Sequence, residues 1–100
     1  MDIEVHARRA AEVLGKEVVQ GTIDKLVQIQ RERCLRELEK IRAEIDAIES
    51  RFGKNSDQVW REYQEGKFGD DADIMEWVML IENLRILQGQ CDRMAEIQTQ

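Results

Sequence analysis

TIDKLVQIQRERCLRELEKIRAEIDAIESRF, residues 22–52, is a 31-residue run whose apolar positions repeat with helical period. Val27, Cys34, Ile41 and Ile48 recur every seven residues, and Leu38, Ile45 and Phe52 each follow the last three of these at the fourth position. This seam, with charge on most other faces, predicts one long amphipathic helix of coiled-coil character over 22–52. Opposite charges at i,i+4 (Glu32–Arg36, Arg33–Glu37, Lys40–Glu44 and Arg42–Asp46) support the helix. A single helix cannot leave such a stripe in water, so the rest of the chain is read for what covers it.

Downstream, Gly53 suits the left-handed residue that ends many helices. Asn55, with Gln58 three residues on, reads as an N-cap with a capping box and opens a short helix over 55–66 through Val59, Trp60 and Tyr63. The acidic turn Lys67-Phe68-Gly69-Asp70-Asp71-Ala72 follows. Asp73 and Glu76 repeat the capping spacing, so a second long helix is expected over 73–98, beginning near Ile74. Its apolar face is Trp77, Leu80, Ile81, Leu84, Leu87, Cys91 and Met94. A connection that carries its own short helix makes an antiparallel return the natural topology. With Phe52 level with Ile74, facing positions sum to roughly 126, and Cys34 falls one residue from Cys91 in the same layer.

Upstream, Ile3, Ala7, Ala10, Leu14 and Val18 share one face at helical spacing, and a helix is predicted over 7–20. Gly21 is expected to break it and Thr22 to cap the long helix, although a lone glycine also permits one helix from 7 to 52. The chain is therefore read as all-α and as one domain over 1–100. It is a long antiparallel, coiled-coil-like helical hairpin with a short capping helix between the long helices, and residues 1–21 form an N-terminal helical extension. Such a hairpin covers each seam on one side only. Leu26, Ile29, Leu35, Val78 and Ile86 are left for another surface, which predicts a homodimer or higher homo-oligomer in a four-helix arrangement.

Composition agrees with a helical class and removes several functions. Charged residues make up 36% and aromatics 5%, and there is no proline, which suits helices better than a sheet. The net charge is −6. Residues 53–100 carry the excess of acid, while 22–52 balance. Arg8-Arg9 is too small a basic pair for direct nucleic-acid binding to be expected. No apolar run approaches the roughly 20 residues of a membrane span, and the N-terminus lacks a signal-peptide core. Two cysteines without CxxC spacing suggest a reducing, cytoplasmic setting and no metal framework. They read as small core hydrophobes, with a redox pair as the alternative.

His6 is the only histidine, which leaves nucleophilic catalysis little to draw on. The chain is read as a non-enzyme, with no catalytic, cofactor-binding or metal-binding residue assigned. Asp70, Asp71, Asp73 and Glu76 lack the spacing of a calcium loop and are explained by turn and capping chemistry. Trp60, Tyr63, Phe68 and Trp77 read as a satellite core plugging the hairpin end, with a partner pocket at Tyr63 as the sharper alternative. The candidate partner-binding residues are Leu14, Val18, Leu26, Ile29, Leu35 and Tyr63.

Residues 52–77, FGKNSDQVWREYQEGKFGDDADIMEW, resemble a family of short bacterial and archaeal helical proteins in which this segment follows a charged coiled-coil helix. The matching positions are Phe52, Gly53, Ser56, Trp60, Tyr63, Gly66, Gly69, Asp70, Asp71, Asp73, Glu76 and Trp77. Val59-Trp60 stands where the family has an acidic-aromatic pair, and 1–21 has no counterpart in the pattern. Members are often encoded beside a small toxin and are regarded as antitoxin-like partners. The resemblance implies a cytoplasmic, non-enzymatic protein-binding module of a toxin–antitoxin system that neutralises a small toxin by steric occlusion. The alternative is a structural coiled-coil scaffold acting by homo-oligomerisation.

Overall fold

The heptad seam lies within a single helix of 37 residues, α2 (Lys16–Phe52), in a computed structural model that describes residues 2–98. It is preceded by α1 (Ile3–Leu14) and followed by α3 (Ser56–Gln64) and α4 (Ala72–Gln98). Among the described residues there is no strand. The protein is all-α, and α2 and α4 form the expected elongated antiparallel hairpin. Cross-links between them run in opposite directions along the two helices. Arg31 Nη1 donates to Gln98 Oε1 at 3.1 Å, and Arg42 Nη2 donates to Gln88 Oε1 at 2.7 Å.

The seam is covered in two layers. At the α3 end, Val59, Ile74, Trp77, Val78 and Ile81 are buried together, with Ile48, Trp60, Tyr63 and Phe68 packed around them. Trp77 is fully buried, its Nε1 donates to Ser56 Oγ at 2.9 Å, and its ring stacks on Phe52 at 5.7 Å between centroids. The Arg85 guanidinium lies 4.4 Å over the Trp60 ring and closes the outer side of this layer. The aromatics thus plug the hairpin end, as their spacing suggested. Val78 belongs to this core, so its assignment to a free outer surface is corrected: α3 packs over the face of α4 that carries it.

The second layer is Cys34, Leu38 and Cys91, flanked by Leu84, Leu87 and Met94. The sulfurs of Cys34 and Cys91 are joined as a disulfide, with Cα atoms 5.9 Å apart, well inside the range a disulfide spans. The reading of the two cysteines as unlinked core hydrophobes is corrected. They are core residues and a covalent pair at once, because the antiparallel register puts both in one layer.

The turns follow local chemistry with two changes of partner. Gly53 adopts φ 63° and donates to the Glu49 carbonyl, ending α2 as expected. The Asn55 side chain caps α3 by accepting from Asp57 N. Gln58 donates to Glu62 instead of reaching back, and the Ser56 N–H goes to Glu49 Oε2 at 2.8 Å. Helix α4 starts at Ala72, two residues before Ile74. Its cap is Asp71, whose Oδ1 accepts from Asp73 N and Ile74 N, so Asp73 is not the cap. Among the expected surface pairs, Lys40 turns to Glu37 at 3.9 Å and Arg42 to Gln88 across the hairpin.

The largest departure is at the N-terminus. The helix predicted over 7–20 with a break at Gly21 is replaced by a break at Gly15, whose φ 94° and ψ 146° lie where only glycine is at ease. Gly21 sits inside α2, and the Thr22 hydroxyl donates to the Val18 carbonyl instead of capping a helix. An unbroken helix over residues 3–52 would be about 75 Å long. The longest dimension of the molecule is 60 Å, so α1 bends away from the α2 axis.

Candidate protein-binding surface

The arm made by α1 is short, capped and unburied. Asp2 accepts from Glu4 N at 2.9 Å and starts the helix. Ile3, Ala7, Ala10 and Leu14 then follow one another at 3–4 spacing on one face. A 12-residue helix is marginal in water without packing, yet α1 contains no buried residue. The bend at Gly15 turns its apolar face toward Val18, Val19 and Ile23 of α2, and the two helices line an open cleft of about 510 Å³.

Four of the six candidate residues belong to this surface. Leu14 and Val18 line the cleft, and both are more than half exposed. Leu26 and Ile29 are more than half exposed as well, and helical geometry sets them on the same side of α2 as Val18. Leu35 does not join them. It lies nine residues from Leu26, about 180° around the helix, on the other flank of the hairpin. Tyr63 is at the far end, half-buried against the Val59–Trp77 core, its ring 6.4 Å from that of Trp60. Ile3, Ala7, Ala10 and Ile23 complete the surface and were absent from the candidate set. Their 3–4 spacing was visible, but the position of the bend was not. On α4, Met75, Met79 and Ile86 are also exposed, the last as expected.

The ionisable side chains of α1 (Glu4, His6, Arg8, Arg9 and Glu12) are exposed. The exposed His6 places Nδ1 3.3 Å from the Asp2 carbonyl oxygen. Lys67 sits 3.0 Å from Glu65, whose hydrogen bond and charge hold its ammonium above the ordinary lysine range, so it stays protonated near neutrality. Among the described residues, no group of three or more His, Cys, Asp or Glu side chains could hold a metal ion. Among the described residues, no helix is long and apolar enough to cross a membrane.

The fold and this surface define an all-α helical hairpin carrying an amphipathic arm. No protein-family model, curated protein or solved structure matches the chain.

Proposed function

We propose that the chain is a non-enzymatic protein-binding module of antitoxin type, which neutralises a small partner protein by covering its working surface. One observation carries the reading. The apolar face of α1 buries none of its residues and runs on into exposed Val18, Leu26 and Ile29. An amphipathic helix presented in this way suits docking into an apolar groove through anchors at i, i+3, i+4 and i+7. The net charge of −6 favours a basic partner, chiefly by speeding encounter. Resemblance at residues 52–77 points to a toxin encoded nearby, in a cytoplasmic setting. The joined cysteines withdraw one support for that setting, since such pairs persist best in oxidising compartments.

Co-expression with the neighbouring gene product tests the function. The expected result is a complex that co-purifies and restores growth, and both effects should vanish in Leu14→Asp/Val18→Asp. A neighbouring product that neither binds nor is neutralised would end the antitoxin reading. The second reading is a scaffold acting by homo-oligomerisation, favoured by exposed Met75, Met79 and Ile86 on α4, away from the arm.

A further inference from the structure

We infer that the α1 cleft is a self-association site, filled by the α1 helix of a second copy packed antiparallel about a two-fold axis. This deepens the reading of the arm as a binding surface and names its first occupant. The positions on the apolar face carry the geometry. In an antiparallel pair Ile3 faces Leu14 of the other copy, and Ala7 faces Ala10, so every facing pair sums to the same value. A stripe with large residues at its ends and alanines at its centre is complementary to itself when reversed. The alanines let the helix axes approach closely where the two-fold axis passes, and Ile3 and Leu14 then pack outward against Val18 and Ile23. No Asp, Glu, Lys or Arg lies on the stripe, since Glu4, Arg8, Arg9 and Glu12 project from the other sides of the helix, and the one titratable group lining the cleft is His6 at its edge. Nothing ionic need be buried.

The side chains a second copy would cover are the exposed ones. Ile3 is 82% exposed, Leu14 59%, Val18 56% and Ile23 41%, so a two-fold pair covers four large apolar side chains from each copy. The arm is also the one helix with no buried residue of its own, so pairing supplies the cover it lacks.

The test is the mass of the purified full chain by light scattering across micromolar concentrations, on the parent, Ala10→Glu, and two double variants. The parent should run at twice 11.7 kDa. Ala10→Glu should weaken the dimer about 100-fold, because an unpaired carboxylate is buried at the interface centre. In the reversed register Ala7→Lys/Ala10→Glu places opposite charges together twice and should recover the dimer. Ala7→Glu/Ala10→Glu should be monomeric. Urea midpoints of the hairpin should match the parent, since neither alanine is part of its core, and any loss of helical circular dichroism in the monomeric variants should be confined to the 12 residues of α1. A parent of 11.7 kDa at high concentration overturns the proposal, as does a dimer indifferent to Ala10→Glu. Leu14 and Val18 serve both surfaces, so the two readings are separated on the parent chain. Its mass alone decides the dimer, and a parent dimer that neither binds nor neutralises the neighbouring gene product ends the antitoxin reading and leaves the dimer standing.

Discussion

Trp77 has no exposed surface, and its indole N–H is satisfied by a single hydroxyl, Ser56 Oγ at 2.9 Å. Ser56→Ala therefore strands a buried donor and should lower stability by about 1–3 kcal/mol in urea unfolding, although it removes only one oxygen. A change within a few tenths of a kcal/mol would show that the indole finds another acceptor. That an aromatic core would close the hairpin was legible, because four aromatics fall within 18 residues beside two helix starts. The Ser56–Trp77 pairing was not, since the two lie 21 residues apart and no local rule links them. Cys34 and Cys91 show the same limit. Register brought them within one residue, yet one residue turns a helical side chain by about 100°, enough to decide between neighbours and a bonded pair.

At the scale of elements, the hairpin was readable because a seven-residue repeat leaves one way to bury both long helices. The arm was harder. Gly15 and Gly21 carry the same helix penalty of about 1 kcal/mol, so propensity cannot say which one breaks the chain. The structure decides by backbone angle, since only Gly15 takes positive φ. Gly15→Ala puts a β-carbon where it costs of order 1–3 kcal/mol, and one continuous helix relieves that strain. Spin labels replacing Arg9 and Arg33 should then move out to about 36 Å, the length of 24 helical residues. An unchanged separation would mean that the bend is held by more than Gly15. The same misplacement explains the candidate surface. Leu14, Val18, Leu26 and Ile29 were found as exposed apolar positions, but Leu35 looked identical in sequence because exposure on the two flanks of a seam leaves the same pattern.

As a whole the molecule is a rod of 60 × 24 × 20 Å with a radius of gyration of 19.8 Å, against about 13 Å for a compact chain of this length. A rod has little core per residue, and here the core is split between an aromatic end and a layer around Cys34 and Cys91. The covalent pair spans a sequence separation of 57, so chain-entropy arguments give it about 4 kcal/mol of stability. Adding reductant should lower the urea midpoint accordingly with no change in side-chain composition, and equal midpoints would show that the bond adds nothing. The same bond has a topological consequence. Residues 34 to 91 form a closed ring that includes α3 and the acidic turn, with Lys67 exposed between α3 and α4. A protease that cuts after Lys67 opens the ring without dividing the protein. The nicked chain should migrate as one species until thiols are supplied, then fall into two fragments, so its backbone can lose continuity while its two long helices stay joined.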